Sequence, residues 1–583
     1  MERKPFIRML SALLAIVLSA LVLAGCAPKE AENVKTFRAK ADLLQEQALA
    51  DWVRESLGEA PAGQAGYVVF FSVCAGASRA GVYTGAGPTL DEAWAAAEDA
   101  AAGALAASGL YPLWVKADLV YHSEALAAAE LGKALAAAQP GGFRYGLALD
   151  SGFACALLEG ELNGAAVYDY EADAVDLAAL TAYLEQAGRA APAALPETYQ
   201  LFGCIGGLCD AQDAVYKLEL SGTSAGRRAA SLPTGTQAQQ MANDAAKYLA
   251  GRVQQDGSFR DSLDPRTGTE AETYSNLRHA GAVWALLQAY RAAPDAALGD
   301  KLSLSLGYLL GQLGYDPEGR AFLPEAEGGE VKLGAGALAL IALVEYTEQF
   351  QDAAYLEDCR ALGGGIIAMM DGATGQFVHV LNLDLTRKEE FRTPSYDAEA
   401  AYALARLYGI TGEEIWLQAA CLAAGRMIEQ DYVQYCDPWV SYAMNEITKY
   451  VVDRQEYYIF ALENAQKNLK AIYERGEAWP AGLELLLCTF ELYDRLVSAG
   501  GSVDGFEPEL LLQTIAARAV RLQDACLTPE LAMYLQAPRQ VLGAFMSRED
   551  GFRIRIDDLQ HGIAAYTLYA GQYSRLLASG YAS

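Results

Sequence analysis

The chain is poor in the residues on which much enzyme chemistry rests. Histidine occurs 4 times in 583 residues. There is no His-Glu-x-x-His run, so a zincin-type helix is excluded. No glycine-rich loop ends in Lys-Ser or Lys-Thr, which removes the usual phosphate cradle of nucleotide hydrolases. Basic residues are scarce too: 44 Lys and Arg stand against 74 Asp and Glu, a net charge of −30. Such a surface repels polyanions, so no nucleic-acid partner is expected. The acids form no long block, and solubility alone accounts for them. Cysteine is limited to 10 residues. Setting Cys26 aside leaves an odd number, which cannot all pair. Cys359, Cys421 and Cys488 sit in apolar helical runs and read as buried thiols. Cys204 and Cys209, in Phe202-Gly-Cys-Ile-Gly-Gly-Leu-Cys209, are open to a disulfide or to burial as thiols; the second pair that zinc needs is missing. Gly222-Thr-Ser-Ala-Gly226 has nucleophile-elbow spacing, but a polar stretch follows where a helix is required. Neither a cofactor nor a metal is expected.

What is present begins at the N-terminus. Arg3, Lys4 and Arg8 supply positive charge, and Leu10 to Leu23 is apolar. Leu23-Ala-Gly-Cys26 then brings small residues up to a cysteine. The apolar run falls short of the ~20 residues a helix needs to cross hydrocarbon. This pattern resembles a bacterial lipobox. The resemblance implies a signal peptide over 1–25 and lipidation of Cys26, with palmitate-like acyl chains anchoring the protein to the bacterial cell membrane on its extracytoplasmic side. Each buried methylene of such a chain contributes roughly 0.8 kcal/mol. An ordinary secretory signal with a chance cysteine is the alternative. Residues 26–39 read as a polar tether.

With 52% hydrophobic residues the chain can fill more than one domain. Residues 40–230 mix strands and Ala-rich helices without strict alternation, which predicts an α+β domain. Tyr67–Val73, Leu113–Tyr121, Phe143–Leu149, Ala165–Tyr168 and Ala214–Leu220 read as strands. Thr89–Ser108, His122–Ala138 and Ala172–Ala190 read as helices. Ser221–Thr236, rich in Ser, Thr, Gly and Pro, reads as a linker. Residues 231–583 read as the second domain, almost entirely helical beyond Thr236. Amphipathic helices at 237–254, 299–313, 352–370, 412–429, 454–473 and 508–526 each precede a densely apolar one. The apolar helices begin near Asn276, Lys332, Tyr396, Asp437, Trp479 and Asp557. A helix apolar all round must be buried all round, whereas one with a charged face lies outside. Six outer–inner pairs therefore predict a closed toroid of six helical hairpins, an (α/α)6 barrel, with an irregular helical solenoid as the alternative.

In such a ring the inner helices run one way, so their N-termini surround a concave mouth suited to a polar ligand. Tyr274-Ser-Asn-Leu-Arg-His-Ala-Gly281, Tyr396-Asp-Ala-Glu-Ala-Ala-Tyr-Ala-Leu-Ala-Arg-Leu-Tyr408, Pro438-Trp-Val-Ser-Tyr-Ala-Met-Asn-Glu446 and Arg555-Ile-Asp-Asp-Leu-Gln-His561 lie at these starts. On these segments the region 237–580 resembles the six-hairpin glycosidase superfamily, including the C-terminal domain of glucuronyl C5-epimerases and the N-acylglucosamine 2-epimerases. The resemblance implies a glycan ligand and hydrolysis, elimination or epimerisation by acid–base chemistry. A noncatalytic glycan-binding or envelope-scaffold lipoprotein is the competing reading, since one fold hosts many functions.

Three groups of residues are candidates. His279 and His561 begin inner helices that neighbour each other in a closed ring, and a pair there suits proton transfer. Ring closure through hydrogen bonds to Asp557 or Asp558 is the plainer account of them. Among the acids at the helix starts, Glu399, Asp557 and Asp558 are the catalytic candidates. Asp397, Asp437 and Glu446 belong to the same set, although Asp is also a good helix cap. Paired acids such as Asp557 and Asp558 raise one another's pKa. Arg278, Arg392 and Arg555, with Lys332 and Arg553, could hold an anionic sugar or merely pair with acids. Tyr274, Tyr396, Trp439, Tyr442 and Trp479 could stack on sugar rings or simply fill the core.

Overall fold

The computed structural model describes residues 30–49, 66–136, 144–165, 167–169, 174–220, 224–388, 392–548 and 550–581. The expected signal peptide and Cys26 lie outside the described residues, as does the start of the expected linker at 221–223.

Residues 32–39, expected as tether, instead open the helix Glu32–Leu44. Val34, Phe37, Ala41 and Leu44 recur at helical spacing and are buried, and Phe71 of the sheet packs edge-on to both Phe37 and Trp94. That apolar face outweighs the polar residues between its members, so the expected tether does not reach past Ala31.

Among the described residues seven strands form one antiparallel sheet. Gly81–Gly87, Tyr67–Cys74, Trp114–Ala127 and Thr198–Cys209 lie side by side in that order. Gly146–Ala148 and Ala156–Leu157 continue it, and Val215–Lys217 pairs with the other end of Thr198–Cys209. Glu32–Leu44 and Leu90–Ser108 cover one face, while the other packs on Met533 and Tyr534 of the helical region.

Three strands of the sheet went unpredicted, the two-residue Ala156–Leu157 and the longer pair Gly81–Gly87 and Thr198–Cys209. Both members of that pair are glycine-rich, and glycine is depleted in strands. Gly85 is there for space: a Cβ would meet Ala97 N at 2.2 Å and Ala93 O at 2.3 Å, so the helix lies directly on the strand. The odd spacing of Cys204 and Cys209 along one strand sends them to opposite faces. Both are free thiols, so the disulfide reading is overturned. The expected helix His122–Ala138 is also corrected. The strand runs on to Ala127 because 122–127 pair with 203–198, and helix forms only over Ala128–Ala136.

The described part of Ser221–Thr236 is no free linker. Buried Arg227 donates to the carbonyls of Gln523, Asp524 and Cys526. Arg228 Nη2 lies 2.8 Å from Glu530 Oε2. These bonds strap the stretch to the helical region. Thr234 then caps the first ring helix in a reciprocal capping box with Gln237.

The inner helices are Asn276–Ala292, Leu333–Phe350, Pro394–Thr411, Pro438–Ile447, Pro480–Ser498 and Ile556–Ala578, numbered inner helix 1 to 6 below. Each packs on the next and the sixth packs on the first, which closes the ring. Gly–Ala–Leu composition makes this possible: every residue from Leu333 to Glu345 is buried. Truncating one such leucine costs about 2–5 kcal/mol. Outside lie Gly235–Gly251, Ala296–Gly311, Leu356–Ala368, Glu414–Glu429, Gln455–Gln466 with Leu469–Glu474, and Pro508–Leu522. Ends of one kind meet. At the N-terminal end Arg278 nears Asp557 and His561 meets Glu484; at the other end Arg291 and Arg406 meet Glu345. Among the described residues no helix is long and apolar enough to cross a membrane.

Candidate active site at the mouth of the helical ring

An aromatic block separates the two ends of the ring, and its Tyr402 and Tyr442 line a cavity at the C-terminal end of the inner helices. Trp439 of inner helix 4 lies 5.7 Å from Trp284 of inner helix 1 and 5.3 Å from Tyr442, and Tyr402 of inner helix 3 lies 5.2 Å from Tyr442. Inner helices 1 and 4 are opposite members of the ring, so this block sits on its axis. Trp439 and Tyr442 are each 5% exposed and serve first as packing.

Tyr442 also begins a polar chain. Its hydroxyl donates to Glu484 Oε2 at 2.6 Å, and His561 Nδ1 lies 2.7 Å from Glu484 Oε1. Burial disfavours the imidazolium, but Glu484, Asp557 and Asp558 outweigh it and push His561 up to about 9. His561 is therefore cationic at neutral pH, donates from Nδ1 to Glu484, and has no hydrogen-bond partner at Nε2 among the described residues. Sequence reasoning missed Glu484. Its signal was there: one acid inside the apolar run Leu483-Glu-Leu-Leu-Leu487.

Glu399 projects from the second turn of inner helix 3. It is 5% exposed, and its Oε2 is buried without a hydrogen-bond partner among the described residues. Burial, with the neighbouring Asp437 carboxylate, pushes Glu399 up to about 8 against the opposing pull of His561. Gly334 of inner helix 2 makes room for it: a Cβ there would meet Glu399 Oε2 at 2.4 Å and the Tyr396 ring at 2.6 Å. Tyr396 thus lies partly buried beside Glu399. Asp437 caps inner helix 4, accepting from Trp439 N at 2.8 Å and from the Ser395 hydroxyl.

Across the mouth stands a charge cluster. Arg555 Nε lies 3.0 Å from Asp557 Oδ1 and 3.4 Å from Asp558 Oδ2. Arg278 lies 3.0 Å from Asp261 and 3.5 Å from Asp557. Burial, with the charge of Asp557, pushes Asp558 up to about 6. Asp261, buried in the preceding loop, was also missed. Arg278 and Arg555 are paired with acids, yet they keep exposed surface in the mouth.

Other candidates are placed elsewhere. His279 is fully buried on the outer side of inner helix 1. Its Nε2 meets Ser305 O of the adjacent outer helix at 2.9 Å, and its Nδ1 meets the Tyr274 hydroxyl at 2.6 Å. Burial drives it down to about 4, so it is neutral. The two-histidine arrangement is overturned, because position 279 in the first helical turn points at Phe259 and Tyr308 rather than at His561. Tyr274 is bound up with it, accepting from Phe259 N as well. Arg392 is held by Asp397 at 2.9 Å and Tyr432 at 2.7 Å. Asp397 also meets His379 Nε2, whose Nδ1 accepts from Thr393 N; this histidine was overlooked. Arg475 lies over the Trp479 ring at 4.8 Å. Lys332 pairs with Glu325 and Glu330, and Arg553 with Asp550. Glu446 stands near the end, not the start, of the short inner helix 4. It pairs with Lys449 and lines the cavity of about 390 Å³ at the opposite end of the ring. Among the described residues no group of three or more His, Cys, Asp or Glu is arranged to hold a metal ion.

No protein-family model matches the chain. No curated protein matches it. Solved structures similar to it include a cellobiose 2-epimerase from Bacillus thermoamylovorans B4167, at 12% identity and TM-score 0.46 over 58% of this chain and 99% of that one. A D-mannose isomerase is 10% identical with TM-score 0.44, over 57% and 97%. An unsaturated glucuronyl hydrolase specific for heparin is 11% identical with TM-score 0.43, over 58% and 97%.

Proposed function

We propose that the chain is a carbohydrate-active enzyme, held outside the cytoplasm by lipid on Cys26, that cleaves a glycan at the mouth of its helical ring by acid–base chemistry. The observation that carries this reading is Glu399: a buried carboxyl with an unpartnered oxygen, protonated at neutral pH, in the same mouth as the Asp557–Asp558 pair. Bond cleavage between sugars needs one carboxyl that gives a proton and one that takes it, and environments that push their pKa values apart assign the roles. Glu399 is the acid and the aspartate pair the base, with burial and the neighbouring Asp557 raising Asp558. His561, kept cationic by Glu484, supplies positive charge to a sugar oxygen. Arg278 and Arg555 favour a glycan carrying carboxylates. Hydrolysis and elimination both fit this set, whereas epimerisation by two histidines does not.

The test is a screen of the protein against neutral and uronic-acid glycans, read as new reducing ends and as unsaturated product. Product that Glu399→Gln abolishes supports the reading. Tight glycan binding with no product in any case would favour the noncatalytic scaffold instead.

A further inference from the structure

A cavity of about 210 Å³ lies beside the sheet, remote from the ring mouth in its lining. It opens where the strands Tyr67–Cys74 and Gly81–Gly87 meet the helices Leu90–Ser108 and Leu177–Gln186, with Gln536 of the helical region closing one side. Its wall is largely apolar, built from Leu105, Leu110 and three tyrosines, Tyr83, Tyr111 and Tyr183. Leu110 and Tyr111 are 53% and 59% exposed, so the cavity has an open rim.

Among the described residues Arg79 is the one charged residue in that lining. In a chain of net charge −30, its guanidinium has no carboxylate within ion-pair distance among the described residues. It donates instead to neutral oxygens. Nε and Nη2 reach the backbone carbonyls of Tyr534, Gly164 and Arg266, which fix its plane. Nη1 reaches only side-chain amides, Gln186 at 3.2 Å and Gln536 at 2.6 Å. Asp264 acts on Arg79 through space, but its carboxylate is bound by Arg266 at 3.0 Å. Both glutamines also line the cavity. Their bonds carry only the one charge of the guanidinium, whereas a carboxylate in their place would add a second, opposite charge.

We propose that this cavity is a binding site for a small carboxylate with an apolar, ring-sized body. The carboxylate displaces the Gln186 and Gln536 amides from Arg79 Nη1, and the body lies against Leu105, Leu110 and the tyrosines. Burying the ring face supplies affinity, and the guanidinium supplies selection for the anion.

Benzoate and its neutral isostere benzamide test this by calorimetric titration of the full chain. Benzoate binds the wild type at least about 10-fold tighter than benzamide, the difference a buried charged hydrogen bond makes. Arg79→Gln removes that preference. Because Arg79 also ties the sheet to the ring, Gln536→Glu serves as the second variant. It places a carboxylate on Nη1 within the protein and abolishes the preference with the fold intact. Tyr111→Ala, at the exposed rim, weakens both ligands together. Equal or absent binding of benzoate and benzamide to the wild type overturns the proposal. So does a preference that survives Gln536→Glu.

Discussion

At the scale of single residues, the mouth is governed by which carboxyls burial keeps protonated. Glu399 and His561 both hold protons in the folded state that they would release when unfolded. The raised His561 contributes stability that is complete below its ordinary value near 6.5 and lost as pH rises through about 9. Glu399, also raised, costs stability as pH climbs from its ordinary 4.5 through about 8. The melting temperature therefore falls between pH 6 and pH 9, and Glu399→Gln, which mimics the protonated form, removes part of that fall. Glu484→Gln keeps the shape of its neighbour's partner but drops the charge. It moves the His561 titration from about 9 toward or below neutrality, read by NMR of the imidazole resonances, of which the chain has four. Residue identity alone showed Glu399, Asp558 and His561 as candidates. It could not show that His279, one turn into a neighbouring helix, faces outward. Rotation about a helix axis depends on where the helix starts, and the cap at Ser275 fixes that start.

At the scale of elements, the ring was legible because its helices differ in kind. The apolar runs and their amphipathic partners match the observed inner and outer helices closely, since burial on all sides leaves a composition that no other arrangement tolerates. The sheet was less legible. Its central strand Thr198–Cys209 owes its place to pairing on both edges rather than to side-chain propensity. Close packing between elements also sets the site. Gly334→Ala would push its methyl into Glu399 and Tyr396, and a displacement of about 1 Å at the acid costs about 10²-fold in turnover with little loss of melting temperature. Leu340→Ala, deep in inner helix 2, has the opposite signature. It costs about 2–5 kcal/mol in denaturant titration while the mouth keeps its geometry.

At the scale of the whole molecule, the sheet and ring are joined by buried polar contacts: Arg228 with Glu530, Arg227 with three carbonyls, and Ser72 with the Tyr534 hydroxyl at 2.8 Å. None of these pairings was legible in the sequence, because their partners lie hundreds of positions apart and have no periodic signature. On the proposed lipidation of Cys26, few residues separate the lipid from the helix that begins at Glu32. Cys26→Ser should abolish incorporation of labelled palmitate and shift the protein from the membrane fraction to the soluble one. The central claim is that a protonated Glu399 and the aspartate pair act together on a glycan. The pH dependence of kcat/KM on the best glycan found in the screen tests it most directly. The account predicts a bell with its acid limb near pH 6 and its alkaline limb near pH 8, and a loss of about 10²–10⁴-fold in Glu399→Gln across that range. A Glu399→Gln enzyme with wild-type kcat/KM, or an unchanged alkaline limb in that variant, would contradict it.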